Sequence, residues 1–229
     1  MKLRILKINF QSPQLKDMTI ESFLDYMEMN FPDYNYISEN FRNEEFNKLY
    51  PKIQFKIIDN QPTIIAAKKG IKVLRKVFPV IDKLKHIGDI EEESENKFYM
   101  YEEDIGISEE MINYKFASPW FPFYRINYED YLHFQNDIPD EKFRNLGIRD
   151  LMRNMLIGCL YRMSKSMGYS INQKFHVESD FILPPPEKKD PATVSITGNF
   201  SMDFHIPSLL GLGNYVFRNK GVVVKNNDG

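Results

Sequence analysis

Cysteine and long apolar runs are scarce in this sequence, and each scarcity excludes a class of protein. The single cysteine, Cys159, leaves no disulfide framework and no cysteine-based metal cluster, which favours a reducing cytoplasm. No apolar run approaches the roughly 18 residues that a membrane span needs. The first ten residues, MKLRILKINF, are too few and too charged for a signal sequence. We therefore expect a cytoplasmic protein with no membrane partner.

The motifs of several common enzyme classes are also missing. The four histidines are scattered without the HxH, HxxxH or His-Cys spacing that metal sites use. Neither a GxSxG elbow nor a GxxxxGK(S/T) phosphate loop occurs, so nothing favours a serine hydrolase or a nucleoside triphosphatase. We expect no metal site and no cofactor. His205 is the most interesting histidine, because it comes just before a glycine-containing loop.

Charge is present in plenty but is segregated along the chain. The net charge of −2 hides a segment from Phe46 to His86 with ten basic and two acidic residues, a local charge of +8. An acidic segment from Asp89 to Glu110 follows, and Lys142 to Lys174 is again basic, with Asp150 as its only acid. Basic segments of this kind suit a polyanion-binding face, although solvated faces of helices and strands have the same composition.

The hydrophobic pattern predicts an α+β protein built from two tandem ferredoxin-like domains. Residues 3–10 read as a strand, 19–30 as a helix capped by Thr19, 50–68 as a hairpin turning at DNQP, 71–84 as a helix and 85–93 as a strand. This order is the ferredoxin-like βαββαβ arrangement. Residues 96–103 and 111–123 read as strands, 146–169 as a long helix, and 171–183 and 193–206 as the two strands of a second hairpin. We predict domains at 1–97 and 98–229.

Glycines concentrate near the end of the chain. Of 11 glycines, Gly211, Gly213 and Gly221 lie in the segment IPSLLGLGNYVFRNKGVVV, residues 206–224. Glycine serves where the backbone turns with a positive φ or lies close to another backbone or a phosphate. This segment is therefore either a turn or a ligand-binding loop.

Several segments together resemble the CRISPR repeat-RNA-processing endoribonucleases, the sixth Cas protein family. They are YPKIQFKIIDNQPTIIAAKKG, SPWFPFYRINYEDY, LIGCLYRMSKSMGY and PSLLGLGNYVFRNKGVVV, which span residues 50–224 in the family's order. The resemblance implies two ferredoxin-like domains, CRISPR repeat RNA as the partner, and a glycine-rich loop that lies against the other domain and the RNA phosphates. Other Cas proteins and a second copy of the chain remain open as partners.

The basic segment and the glycine loop together supply the predicted RNA-binding residues. These are Lys52, Lys68, Lys69, Lys72, Gly211, Gly213, Asn214, Arg218, Lys220 and Gly221.

The chain departs from the family where catalysis is concerned. Relatives commonly carry histidines just upstream of the tyrosine-proline strand, whereas Glu39, Asn40 and Phe41 stand at that place here. The family reaction uses the ribose 2′-hydroxyl to attack the adjacent phosphate without a metal, leaving a 2′,3′-cyclic phosphate. Our catalytic candidates, which could stabilise the phosphate and donate a proton, are Lys48, Tyr50 and Tyr36.

Three functions remain open from the sequence. The first is a repeat-RNA endoribonuclease with a non-histidine or relocated catalytic group. The second is a protein of the same fold that holds repeat RNA, alone or in a ribonucleoprotein, without cutting it. The third is an unrelated ferredoxin-like interaction module. A repeat array or cas genes beside the gene would favour the first two over the third.

Overall fold

The computed structural model describes residues 1–37, 50–93, 95–185 and 190–226, which fall into two compact units. The first unit comprises Met1–Ile105, Ser166–Tyr169 and Phe217–Asn219. The second comprises Gly106–Lys165, Ser170–Val216 and Lys220–Gly229. The boundary predicted at residue 97 falls inside a strand of the first unit. No helix of the described ranges is long and apolar enough to cross a membrane.

The first unit is a ferredoxin-like domain with one added edge strand. Its elements are β1 (Lys2–Phe10), α1 (Ile20–Asn30), β2 (Ile53–Ile58), β3 (Gln61–Ala67), α2 (Lys69–Val77), β4 (Ile90–Glu93) and β5 (Asn96–Asp104). All the paired strands are antiparallel, in the order β2-β3-β1-β5-β4. Without the four-residue β4, this is the sheet order of the βαββαβ fold.

Helix α1 and the hairpin of β2 and β3 form where they were predicted, and local sequence signals explain both. The Thr19 hydroxyl accepts a hydrogen bond from the Ser22 backbone N–H at 3.2 Å and so caps α1. Asp59 and Asn60 both have positive φ, 50° and 61°, which is typical of the two-residue turns that join tightly paired strands. The core then forms where α1 meets the sheet, and Phe10 and Phe23 meet edge to face at 5.1 Å.

The fourth strand of this domain was predicted wrongly. The sequence suggested that residues 85–93 close the first domain and that 96–103 open the second. Instead, β5 pairs with β1 from Lys2 opposite Asp104 to Phe10 opposite Asn96, and β4 pairs only with the outer side of β5. Both segments have a strand pattern, and such a pattern does not specify which strand is the partner.

The second unit repeats the fold with one helix missing. Its elements are β6 (Gly106–Phe116), α3 (Arg125–Asp137), α4 (Glu141–Ser166), β7 (Val177–Ile182), β8 (Thr197–His205) and β9 (Val223–Lys225). The strand order is β7-β8-β6-β9. Between β8 and β9, where a ferredoxin-like domain has its second helix, the glycine-containing segment runs without regular structure.

The long helix α4 was predicted correctly, whereas α3 was not predicted. The stripe expected to face the core is buried: Met152, Met155, Leu156, Cys159, Leu160, Met163 and Met167. A Cβ on Gly147 would lie 2.3 Å from a ring carbon of Phe134, so this glycine lets α4 pack closely on α3.

Lys56 in β2 is the one lysine that the described structure buries completely. Its alternation with Ile53, Phe55 and Ile57 predicted an outward-facing residue, yet it is 0% exposed, as is Gln54 on the same face. Burial lowers the pKa of Lys56 to about 7, because desolvation penalises the ammonium form. Lys56 is therefore not part of an RNA-binding surface, although it contributed to the +8 segment.

This buried lysine predicts a pH-dependent stability. Between about pH 7 and 10.5, Lys56 is mostly neutral in the folded protein and charged in the unfolded chain. The unfolded chain then binds more protons, so the free energy of unfolding rises with pH, by up to about 1.4 kcal/mol per pH unit from this residue. Urea unfolding at pH 7, 8 and 9 measures this dependence. The free energy of unfolding of Lys56→Met should rise less steeply with pH than that of the parent. The control is Lys83→Met, which removes an exposed lysine. The expectation would be contradicted if Lys56→Met had the same pH dependence as the parent, or if Lys83→Met reduced that dependence equally.

Candidate nucleic-acid interface

Four predicted lysines lie around the start of α2: Lys52, Lys68, Lys69 and Lys72, called here the lysine cluster. The Ala67 N–H donates to the Lys52 carbonyl at 2.9 Å, which brings the residue before β2 beside the end of β3. Gly70 lies so close that a Cβ there would be 2.3 Å from the Lys52 oxygen. The backbone therefore fixes Lys52 against the first turn of α2.

The lysine cluster is electrostatically crowded. The pKa of Lys52 is lowered, first by burial and second by the neighbouring charge of Lys69. Lys68 and Lys69 are exposed, and Lys68 begins the helix with a φ of 53°. An anion placed between like charges removes their repulsion, so this surface is suited to a phosphate.

Ser166, at the end of α4, belongs to this site although it was not among the predicted residues. The Lys52 ammonium donates to the Ser166 hydroxyl at 3.1 Å, and that hydroxyl donates to the Tyr50 carbonyl at 2.9 Å. The hydroxyl holds the Lys52 head group in place. No sequence signal connects residues this far apart, so only the fold reveals the contact.

The outer face of α2 extends the positive surface. Lys72, Arg75 and Lys76 are exposed. The Arg75 guanidinium lies 3.4 Å from an Asp82 carboxylate oxygen, so its charge is partly compensated. The Lys76 ammonium lies 4.4 Å from the ring centroid of Tyr36, a cation–π contact that orients both side chains.

The predicted catalytic residues have different surroundings. Tyr36 is 44% exposed beside Lys76, so its hydroxyl can reach a ligand. Tyr50 is only 7% exposed. Lys48 lies outside the described residues, as do Glu39, Asn40 and Phe41. Of the two candidates that the structure describes, Tyr36 has the more accessible position.

Arg218 lies beside β2 in the first unit. Phe55 donates from its N–H to the Phe217 carbonyl and accepts at its own carbonyl from the Asn219 N–H, both at 2.9 Å. These bonds pair residues 217–219 with the edge of β2. Arg218 is exposed, with its guanidinium 5.1 Å from the Phe217 ring centroid. The pairing holds a cation at a fixed position on this edge.

The loop glycines lie against protein atoms of the second unit. Gly213 has a φ of 96°, and a Cβ there would lie 2.6 Å from the Trp120 ring nitrogen. Gly221 has a φ of 58°, and its Cβ would lie 2.0 Å from the Leu212 carbonyl oxygen. Gly211 is buried and forms an isolated bridge with Val222. All three positions therefore shape the loop.

Asn214 and Lys220 are two further loop residues of the predicted RNA-binding set, and their surroundings differ. Asn214 donates from its side-chain amide to the Phe123 carbonyl at 3.1 Å and from its backbone to the Phe121 carbonyl at 2.9 Å. The Lys220 ammonium lies 5.3 Å from the Phe121 ring centroid and is partly exposed. Asn214 fixes the loop, and Lys220 offers a charge to a ligand.

The histidines of the described chain do not converge. His176 contacts Asp203, His133 contacts Asp137, and His205 stands opposite Gly106 in the second sheet. Within the described ranges, no group of three histidine, cysteine, aspartate or glutamate residues is placed to hold a metal ion.

Two family models match almost the whole chain. The model for the Cas6b N-terminal domain matches residues 1–104, and the model for the Cas6b C-terminal domain matches residues 106–226. The chain is also similar to the uncharacterized protein MJ0978 of Methanocaldococcus jannaschii. The two are 30% identical over 127 residues, which is 54% of this chain and 78% of the relative.

Solved structures show the same relationship. One, described as the crystal structure of Cas6b, aligns with a TM-score of 0.72 and 28% identity over 99% of this chain and 100% of its own. Another, described as the CRISPR RNA processing endoribonuclease Cas6b, aligns with a TM-score of 0.66 at the same identity and coverage. A third, Csf5, a type IV Cas6 crRNA endonuclease, is only 9% identical with a TM-score of 0.53 over 99% of this chain and 100% of its own, and shares the fold alone.

Proposed function

The chain belongs to the Cas6b family, and on that premise we propose that it binds CRISPR repeat RNA and cuts it to produce guide RNA. The observation that carries the proposal is the fixed position of Lys52 beside the first turn of α2, where the Ala67 hydrogen bond and the close approach of Gly70 hold its backbone and Ser166 holds its ammonium group. Lys68, Lys69 and Lys72 add exposed charges around the same turn, and several cations at one place form a site that a phosphate stabilises. Arg218, held on the edge of β2 in the first unit, adds another cation, and Lys220 of the second unit stays a predicted RNA-binding residue.

The proposed reaction is an internal transesterification. The 2′-oxygen of one ribose forms a bond to the adjacent phosphorus while the bond to the 5′-oxygen of the next nucleotide breaks. A base takes the 2′-hydroxyl proton, and an acid gives a proton to the leaving oxygen. The products are a 2′,3′-cyclic phosphate and a 5′-hydroxyl, and no metal is required.

The proposal assigns two roles in this reaction to residues of the chain. The lysine cluster holds the phosphate and offsets the negative charge that builds up as the new bond forms. Tyr36, exposed beside Lys76, is the proton donor to the leaving oxygen. Since a tyrosine and a lysine replace histidine chemistry here, we expect a slow enzyme that turns over once and keeps its product.

A second candidate function is the binding of repeat RNA without cleavage. It is favoured by Glu39, Asn40 and Phe41 standing where relatives commonly place histidines. Both functions share one RNA-binding surface and differ only in the fate of the bound RNA. A cytoplasmic location, other Cas proteins as partners, and a homodimer remain predictions in either case.

Binding by the lysine cluster is tested by removing its charges and comparing the result with a control variant that changes the net charge equally. The triple variant Lys68→Ala, Lys69→Ala, Lys72→Ala should bind repeat RNA more weakly than the parent. The slope of log affinity against log salt concentration should be smaller in magnitude by about two. Each phosphate contact on single-stranded RNA contributes about 0.7 to that slope, and three lysines are removed. Gel-shift titrations from about 50 to 200 mM salt, a range over which phosphate contacts change the affinity strongly, measure the affinity and its salt dependence.

The matched control removes three exposed lysines from elsewhere in the first unit: Lys16, Lys83 and Lys85. Their replacement by alanine changes the net charge equally and should leave the salt slope close to that of the parent. If the two triple variants behave alike, RNA is attracted by overall charge and the cluster is not its site. If the parent does not bind repeat RNA even at low salt, the proposed function is wrong.

A further inference from the structure

A groove in the second unit lies between α4 and the segment that leads into β7. It has a volume of about 660 Å³, within the range of about 300–1,000 Å³ that is usual for small-ligand sites. Neither the lysine cluster nor the glycine loop contributes a residue to it.

One wall of the groove is a regular stripe along α4. Arg149, Arg153, Ile157 and Tyr161 follow one another at four-residue intervals, so they lie on the same face of the helix. Arg153 and Tyr161 are eight residues apart, about 12 Å along the axis. The stripe is therefore cationic at one end and aromatic at the other.

The opposite wall adds another cation and a second aromatic ring. Lys174 and Phe175 precede β7, and the Phe175 ring centroid lies 6.3 Å from that of Tyr161. Phe175 also packs on Phe204 at 5.5 Å, which fixes its ring. Tyr161 is 45% exposed, so its ring has a face open to a ligand.

The surrounding charges favour an anionic occupant. Arg149, Arg153 and Lys174 face a single lining carboxylate, Glu178. Arg153 is 3.2 Å from the Asp150 carboxylate, but both side chains stay more than 40% exposed, so the pair is weak. The His176 backbone N–H donates to Asp203 at 2.6 Å, which anchors the segment before β7.

We infer that this groove binds a single-stranded segment of RNA, with one base against Tyr161 and Phe175 and phosphates at Arg149 and Arg153. The inference rests on the proposed function, because it adds a second RNA subsite to the same protein. Stacking platforms next to cationic grooves are the general means by which proteins hold single strands. A compact anion would leave the aromatic end unused, and an acidic peptide would find only Ile157 and Val177 as aliphatic contacts.

The test uses a uridine octamer that carries 5-iodouridine, cross-linked by light and mapped on tryptic peptides. We expect cross-links on the peptides that contain Tyr161 or Phe175. The double variant Arg149→Ala, Arg153→Ala should weaken octamer binding by about tenfold and remove most of this cross-link. Tyr161→Ser should weaken binding of the octamer by about fivefold or more, since stacking of one base carries an effect of at least that size. An abasic octamer should be indifferent to Tyr161→Ser.

The matched control is Lys142→Ala, Lys165→Ala, which removes two exposed charges from the same helix outside the groove. It should retain the cross-link and change the affinity by less than about threefold. Equal losses in the two double variants, or cross-links that avoid residues 161 and 175, would overturn the inference and leave the groove to a different occupant. Circular dichroism confirms that each variant is folded.

The two proposals fail in different ways. If the parent binds repeat RNA through the lysine cluster but the groove variants bind the octamer as the parent does, only the groove inference is wrong. If the parent does not bind repeat RNA, the proposed function is wrong, and the groove inference loses its premise.

Discussion

Repeat RNA with a 2′-deoxy nucleotide at the scissile position should stay intact with this protein, while the all-ribose RNA is cut in the presence of EDTA. In the proposed reaction the 2′-hydroxyl is the nucleophile, so removing it removes the reaction and does not merely slow it. The cut product should end in a cyclic phosphate. Purified protein in excess over end-labelled RNA, followed on denaturing gels with mass spectrometry of the product ends, measures all three outcomes.

Substitution of Tyr36 tests the residue assigned as the acid. Tyr36→Phe removes only the hydroxyl and keeps the ring beside Lys76, so a fall in the cleavage rate of about 100-fold is expected for the loss of a general acid. Tyr99→Phe is the matched control, because Tyr99 also lies beside a lysine, Lys7 at 5.9 Å, in the same unit.

Other outcomes would change the assignment. Inhibition by EDTA would contradict the metal-independent reaction. Tight binding with intact all-ribose RNA after hours would place the protein in the non-cleaving class. Equal rates for Tyr36→Phe and Tyr99→Phe would remove Tyr36 from the mechanism without affecting the proposed RNA binding.

Gly221→Ala should destabilise the fold by about 3 kcal/mol or more, although it adds a single methyl group. The new Cβ would meet the Leu212 carbonyl oxygen at 2.0 Å in a left-handed backbone conformation, and neither backbone can move without breaking the Leu212 N–H to Gly221 carbonyl bond of 2.8 Å. For a chain of this size the midpoint of thermal unfolding should fall by roughly 6–12 °C. Scanning calorimetry measures it.

Gly158→Ala is the same chemical change with the opposite expectation. Gly158 lies in α4, and apart from the backbone of its own helix no atom lies within 4 Å of an added Cβ, so alanine should stabilise the helix by up to about 1 kcal/mol. An unchanged melting temperature for Gly221→Ala would show that the loop relaxes freely, against the packing seen here. Repeat-RNA affinity of the folded Gly221→Ala fraction then tells whether the shape of the loop also matters for binding.

The parts of the fold that were predictable have a local cause. Thr19 before an apolar periodic run and Asp59–Asn60 between two alternating runs each determine the conformation around them, so helix α1 and the first hairpin were confirmed. Strand β5 was assigned to the wrong domain because its partner, β1, is more than 80 residues away in the sequence. Alternation indicates a strand but not its neighbour.

Helix α3 and the burial of Lys56 are two further features that the sequence did not predict. The α3 sequence, RINYEDYLHFQND, is rich in aromatic and asparagine residues with modest helix propensity, and packing of Tyr128 and Tyr131 on Phe123 outweighs that preference. In β2, alternating lysines suggested a strand with one face in water, whereas the structure buries both faces of its first four residues.

The candidate site was predictable in composition but not in arrangement. The sequence shows many lysines between residues 46 and 86, but Lys52 and Lys69 come together only through the hydrogen bond from Ala67 and the close approach of Gly70. The α4 stripe of Arg149, Arg153 and Tyr161 is visible in the sequence, whereas the position of Phe175 opposite Tyr161 is not.

The pairing of residues 217–219 with β2 also protects the protein from self-association. Strand β2 is at the end of its sheet, and an open strand edge invites pairing with another chain and then aggregation. The hydrogen bonds from Phe217 and Asn219 occupy part of that edge, but they come from a segment that is far from β2 in the sequence and is synthesised later. During synthesis, β2 therefore keeps an unpaired edge until that segment has emerged from the ribosome, and over this interval the nascent chain is open to edge-to-edge pairing.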